Sequence, residues 1–307
     1  MTILPTYDCN LHCDFCFFNM YRDKKDRKHK LLDLDKFEEF LKCHPDITEL
    51  IIIGGEPFIT PKGYLKQLID ICYNHIHRKI DVYTNFTLAP PEDLDYEKTH
   101  IIVGYDPCNR KKQTKVLSNM LSFQEHYSVS MIITKEFIEQ YGAEWLVNFA
   151  KKIKKKIHIC NYEIVPGNEW SHRPSPEEFA KFVIELGQYD CKYLSFKGLN
   201  AFNKIEYEDT KSHRFETHIM MTPMMTFTYQ TSGVRKPHRI NDSYENAKEN
   251  FYKTYKPNQI CTSCKYNLYC GKMYAQNNKC EYDRIVMDLF EEEHRRRADG
   301  YYTNLQM

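Results

Sequence analysis

The sequence predicts an α/β protein: six β–α units around a parallel sheet over residues 1–190, then a smaller cysteine-rich unit over 191–307. Three observations carry this reading. Short apolar, β-branched runs alternate with runs of helical period, the pattern of β–α units in a parallel sheet. Turn-forming or polar residues stand where the strands end, at Gly54-Gly55-Glu56-Pro57, Asn85, Asp106 and Pro166-Gly167. Past Gln188 the periodicity weakens, and four cysteines gather between Cys261 and Cys280. Six units are fewer than the eight of a complete barrel.

Residues 2–7 are apolar and partly β-branched, a first strand that delivers Cys9 to a loop. The charge run from Arg22 to Lys30 reads as a solvated loop or as a basic lip for an anionic substrate. Asp33 is placed to cap a helix whose apolar face is Leu34, Phe37 and Leu41. Thr48 to Ile53 is the second strand. Pro61 opens a helix with Leu65, Leu68, Ile69, Cys72 and Ile76 on one face. Strands follow at Ile80–Thr84, Ile101–Tyr105, Val129–Ile133 and Ile157–Val165. The intervening helices show Leu117, Met120 and Leu121, then Trp145, Phe149 and Ile153. A last helix starts near Pro174 and Pro176 and presents Phe179, Phe182, Val183 and Leu186. Residues 198–218 read as a linker, and 224–237 as a hairpin turning at Thr231-Ser-Gly233. A charged helix is expected from about Arg284 to Arg297.

With 307 residues the chain is long enough to bury a sizeable core, and its formal charge of +1 points to neither nucleic acid nor membrane. Twelve cysteines in a chain of this size, with no signal peptide at Met1 to Pro5, point to a reducing cytoplasm rather than a disulfide scaffold. No apolar run is long enough to span a bilayer, so no membrane association is expected.

Cys9, Cys13 and Cys16 stand in a C-x3-C-x2-C spacing directly after the first strand. Four thiolates normally complete a cubane iron–sulfur cluster, so three leave one iron open for another ligand. A structural zinc site is the rival, but zinc wants four closed ligands. The spacing, with Phe15 before the third cysteine, resembles the radical S-adenosylmethionine (radical SAM) superfamily. That resemblance implies a partial (β/α)6 barrel and a [4Fe-4S] cluster whose open iron is chelated by SAM. It also makes Gly54, Gly55, Glu56 and Pro57 the motif that holds the methionyl end of SAM. Physically, glycines admit a ligand close to the backbone, and a carboxylate with carbonyl groups can receive an ammonium. By the same resemblance Asn85 and Asp106 would line the SAM ribose or the substrate, though either could equally cap a turn. The main chain near Tyr162 to Val165 would meet the adenine.

The distal cysteines, Cys261-x2-Cys264-x5-Cys270 with Cys280 further on, resemble the SPASM extension of radical SAM maturases. In that pattern two auxiliary clusters share the region. Here the fourth core position is Tyr274, the hairpin ends in Pro237-His238, and Phe202 to Met225 contains no cysteine. The resemblance therefore implies one auxiliary [4Fe-4S] cluster on Cys261, Cys264, Cys270 and Cys280, with a four-cysteine zinc knot as the alternative. Cys43, Cys72, Cys108, Cys160 and Cys191 are scattered, and most of them, Cys72 on its apolar helix face above all, read as core filler.

The resemblance implies an enzyme that reductively cleaves SAM to a 5′-deoxyadenosyl radical, abstracts a substrate hydrogen and modifies a peptide or protein side chain. An electron donor such as flavodoxin or ferredoxin is the expected partner. A nucleobase or nucleoside substrate, possibly in DNA, is the second reading. A non-catalytic zinc-binding scaffold is the third, and it leaves Gly54 to Pro57 unexplained.

Overall fold

A computed structural model of the chain describes residues 1–13, 16, 18, 29–108, 111–161, 172–195, 219–229, 243–254, 284–293, 295 and 296. The first six strands are β1 (Thr2–Ile3), β2 (Ile51–Ile52), β3 (Ile80–Thr84), β4 (Thr99–Gly104), β5 (Tyr127–Ile133) and β6 (Ile157–Asn161). Each pairs in parallel with its sequence neighbour, as the alternating pattern requires. Three further strands, β7 (Leu194–Ser195), β8 (Ile219–Met221) and β9 (Phe227–Tyr229), give the order β7-β6-β5-β4-β3-β2-β1-β8-β9. β7 and β8 are also parallel to their neighbours, and only β9 runs antiparallel among the described strands.

The helices follow from their apolar stripes. α1 (Leu34–Cys43) starts where expected, with Asp33 accepting from the Lys36 N–H at 3.2 Å, and buries Phe37 and Leu41. α2 (Tyr64–Ile76) buries Leu65, Leu68, Ile69 and Cys72, each worth roughly 1.5–3 kcal/mol for the larger side chains. It begins three residues later than Pro61 suggests, because Gly63 takes a left-handed conformation at its N-cap. α3 (Gln113–Ser122) buries Val116 and Met120, whereas Leu121, expected on the core face, is 52% exposed. Position 116, one turn before Met120, fills that place instead.

α4 (Lys135–Gln140) is a short helix that the apolar pattern does not announce; the Thr134 hydroxyl accepts the Phe137 N–H to start it. α5 (Gly142–Ile153) carries the Trp145, Phe149, Ile153 face, with Trp145 and Phe149 stacked at 5.0 Å. α6 (Pro176–Leu186) opens with a reciprocal capping box between Ser175 and Glu178 and buries Phe179, Phe182, Val183 and Leu186.

One face of the sheet packs these helices, through Ile80, Val82, Ile101, Val103, Val129, Met131, Ile133, Ile157 and Ile159 in one continuous core. The other face alternates with it and is more polar: Asp81 and Tyr83, His100, Ser128 and Ser130, His158 and Cys160, with Ile102 and Ile132 among them. Burial, with Asp81 and Cys160 nearby, pushes the Tyr83 phenol up to about 12. On the same face Asp81 accepts from His100 Nδ1 at 2.8 Å, and Ser128 meets His100 Nε2 at 3.1 Å.

The later segments join the same body. α7 (Tyr244–Thr254) sets Tyr244 against Phe40 and His44 of the α1 end, at ring separations of 5.5 and 4.6 Å. A helix over residues 284–293 buries Val286 and Phe290 in the main core. The strand expected after Met224 is β9, but its described partner β8 precedes it, through a turn at Thr222 to Thr226. The downstream half of the expected hairpin, the 198–218 linker and the distal cysteines lie outside the described residues.

Candidate active site at the C-terminal ends of the strands

Three strand ends meet around the first cysteine loop. β1 is short because Pro5 has no N–H to give a ladder, and the chain then pairs across its own loop. Thr6 bridges Leu31 in antiparallel fashion, and the Leu32 N–H donates to Pro5 O at 3.0 Å. The Asp8 carboxylate then takes both the main-chain N–H of His29, at 3.3 Å, and its ring nitrogen, at 2.9 Å. These contacts close the loop at its base. Cys9, Cys13 and Cys16 stand on it, all partly exposed, and the Cys16 N–H donates to Cys13 O at 3.0 Å.

The β2 end is pressed against this loop. Gly54 and Gly55 have φ of +101° and +53°. A Cβ on Gly55 would lie 2.3 Å from Asp8 O and 2.6 Å from Thr6 O, so only glycine fits there. The turn lets the Glu56 N–H donate to Asp8 O at 2.7 Å. Glu56 itself is 1% exposed. Its Oε1 accepts from Phe58 N–H at 3.1 Å and Thr84 Oγ1 at 2.7 Å, and its Oε2 accepts from Asn85 N–H at 2.7 Å. Pro57 opens a 3₁₀ turn, Pro57–Ile59, capped by the same carboxylate. Glu56 therefore ties the β2 and β3 ends together, an inward task that the motif alone does not reveal.

Asn85 links the two. Its Nδ2 reaches Cys9 Sγ at 3.7 Å and Asn10 Oδ1 at 2.8 Å, while its Oδ1 accepts from Thr87 N–H at 3.0 Å and Thr87 Oγ1 at 2.7 Å. Asn10 Nδ2 completes a ring by donating to Thr87 Oγ1 at 2.8 Å, and Leu11 N–H approaches Cys9 Sγ at 3.4 Å. Asn10 and Thr87 are the members of this network that motif reading misses, because the contacts of Asn10 with Asn85 and Thr87 each span more than seventy positions.

Asp106 lies at the β4 end, 3% exposed. Its Oδ1 accepts from Cys108 N–H at 2.9 Å and its N–H meets Gln113 Oε1 at 3.2 Å, which is the turn-capping arrangement. Burial, then Asp106 and Glu136, push the neighbouring Cys108 thiol up to about 12. Burial also raises the Cys72 thiol. Of the five cysteines read as filler only Cys72 is buried; Cys108, Cys160 and Cys191 are half-buried and Cys43 is exposed at the end of α1, so the filler reading holds for Cys72 and fails for Cys43. Phe15, Tyr162 to Val165, residues 22–28 of the charge run and Cys261, Cys264, Cys270 and Cys280 lie outside the described residues.

The described donors are of the type a cubane cluster takes, soft thiols on one loop with N–H donors aimed at Cys9 sulfur, and among the described residues no three metal-ligating side chains are drawn together as for a single metal ion. The profile of the 4Fe-4S single cluster domain matches residues 2–108, the span that contains all of these groups. Among solved structures, anSMEcpe with bound AdoMet superposes with a TM-score of 0.63 at 13% identity, covering 94% of this chain and 96% of that one. Streptococcus suis SuiB superposes with a TM-score of 0.60 at 14% identity, over 88% of this chain and 71% of that one. SuiB bound to S-adenosylmethionine gives 0.55. The fold is that of the radical SAM enzymes. Sequence comparison with curated proteins finds no match. Among the described residues no helix is long and apolar enough to cross a membrane.

Proposed function

We propose that the protein is a radical SAM enzyme that modifies a peptide or protein side chain. The observation that carries the chemistry is the convergence of Cys9, Gly55, Glu56 and Asn85 at adjacent strand ends, within the stretch matched by the 4Fe-4S profile. Cys9, Cys13 and Cys16 hold the [4Fe-4S] cluster, and the Gly54 to Pro57 turn holds SAM by its methionyl end. When bound, the cluster supplies one electron for cleavage of SAM to a 5′-deoxyadenosyl radical, which takes a hydrogen atom from substrate. The chain's own residues position and shield. Glu56 fixes the two strand ends, and the closed base of the cysteine loop holds the three thiols in place. Cys261, Cys264, Cys270 and Cys280 hold a second, fully thiolate-ligated cluster that carries electrons or braces the C-terminal region.

The peptide assignment is supported by the SPASM-like cysteine spacing, whose bearers are mostly peptide maturases. The test is anaerobic reconstitution with iron and sulfide, then incubation with SAM, dithionite and a short peptide encoded beside the gene. Formation of 5′-deoxyadenosine with a mass change in the peptide is the expected result. Salt-sensitive DNA binding with a mass change in a nucleoside instead would move the substrate to nucleic acid. A reconstituted protein that binds only zinc would overturn the radical chemistry.

A further inference from the structure

The amide of Asn85 has a determined orientation. A backbone N–H can only donate, and the Thr87 N–H meets one atom of that amide at 3.0 Å, so this atom is the oxygen. The nitrogen must then face the other way, 3.7 Å from Cys9 Sγ and 2.8 Å from Asn10. The Asn10 atom that it meets is therefore an oxygen, which turns Asn10 Nδ2 to the Thr87 hydroxyl at 2.8 Å. That hydroxyl accepts from Asn10 and donates to Asn85 Oδ1 at 2.7 Å. Each donor in the ring has its acceptor, and flipping either amide sets like against like. The Asn85 main chain is anchored as well, through its N–H to Glu56 Oε2 at 2.7 Å.

A ring so fully specified holds one N–H toward one sulfur. Resting on the radical SAM reading, we propose that Asn85 is a positioning residue that tunes the cluster by hydrogen-bonding to the Cys9 thiolate. An N–H dipole stabilises negative charge on a ligating sulfur, and the reduced cluster carries more of that charge. The hydrogen bond therefore raises the reduction potential, which eases delivery of the electron to the cluster by its donor. Asn10 and Thr87 act through Asn85 by holding its amide in the donating orientation. This role differs from lining the ribose or the substrate, which would direct the Asn85 amide to a ligand rather than to a sulfur.

The test is a redox titration of the reconstituted protein without SAM, followed by the EPR signal that responds when SAM is added afterwards. Asn85→Asp keeps the shape and replaces the donor with an acceptor; Asn85→Ala removes both. Both are expected to lower the potential, by roughly tenfold in the one-electron reduction equilibrium, about 59 mV. The Asp variant should fall further, because it adds negative charge. Thr87→Val keeps Asn85 and removes one of the two donors that fix its amide, so it should shift the potential the same way by less. It serves where the Asn85 variants fail to hold iron. Loaded variants with the wild-type potential would overturn the inference while leaving the enzyme assignment standing. A wild-type protein that takes up no cluster would overturn the enzyme assignment itself, and the inference with it.

Discussion

Oε2 of Glu56 accepts a hydrogen bond from the main-chain N–H of Asn85 at 2.7 Å, so the second strand end holds the third in place. With Thr84 Oγ1 and Phe58 N–H on the other oxygen, this carboxylate serves three donors inside the protein. Glu56→Gln would turn an amide NH2 toward at least one of them, donor against donor. It should cost about 2 kcal/mol, and Glu56→Ala about 3 kcal/mol or more, as buried donors lose their acceptor. Urea unfolding of the apo-protein measures both. SAM cleavage should fall in the same order, since the turn that carries Gly54 and Gly55 loses its anchor.

What the sequence shows of this arrangement depends on how local the determining interaction is. Apolar stripes of helical period are local, and α1, α2, α5 and α6 stand where their stripes put them. The long strands β3 to β6 are equally legible, because burial leaves them apolar and β-branched, alternating along β3 and continuous at Ile101 to Val103 of β4. The two-residue strands β1, β2 and β7 are set by ladder partners elsewhere, and no periodicity of their own marks their limits. At the site, the thiol spacing and Gly54 to Pro57 are contiguous and therefore visible. The Asn10–Asn85–Thr87 ring and the Asp8–His29 clasp are not, since they join loops far apart in the chain. His100, Asp81 and Ser128 read as scattered polar residues until the register sets Asp81 beside His100 and brings Ser128, which pairs with Ile102, within reach of the same imidazole.

Asp70 on α2 gives a prediction in pH. It meets Lys66 Nζ at 2.7 Å and Lys98 Nζ at 2.6 Å. Partial burial alone would raise its pKa, but hydrogen bonds and charge from Lys66 and Lys98 outweigh that and lower it below the ordinary 3.8. A carboxylate with a lowered folded pKa stabilises the protein above its ordinary value and loses that contribution as pH falls through the lowered one. The hydrogen bond that Lys98 donates to Asp70 raises the lysine above 10.5, so the lysine's share persists at neutral pH and is lost only as pH rises through its raised value. Asp70→Asn should therefore unfold at lower urea than wild type at pH 7. The gap should close once the pH is well below 3.8. An equal gap at both pH values would contradict the assignment.

Iron content separates the two cysteine groups. Two cubane clusters give about eight irons per chain, and one cluster with a zinc knot gives about four. Cys13→Ala should remove about four irons and reduce 5′-deoxyadenosine formation to background. If the distal cysteines hold the proposed second cluster, Cys264→Ala should also remove about four irons, yet keep SAM binding. Loss of zinc rather than iron from the Cys264 variant would identify the distal group as a zinc knot.

The glycine turn makes the sharpest mutational contrast. Gly55 and Gly63 both have positive φ, +53° and +80°, so alanine at either position pays the left-handed penalty of about 1–2 kcal/mol. Their surroundings differ. Nothing lies within 4 Å of a Cβ at Gly63, whereas at Gly55 it would meet Asp8 O at 2.3 Å and Thr6 O at 2.6 Å. Both of those atoms are main chain at the root of the cysteine loop, so relief requires moving the loop itself. Gly63→Ala should then cost about 1 kcal/mol and leave iron uptake intact. Gly55→Ala should cost about 3 kcal/mol, with overpacking added to the conformational term, and should impair iron uptake. Apo-protein unfolding and iron analysis measure the two parts separately. Similar losses in both variants would mean that backbone conformation alone, and not the close approach of the turn to the loop, sets the need for glycine at position 55.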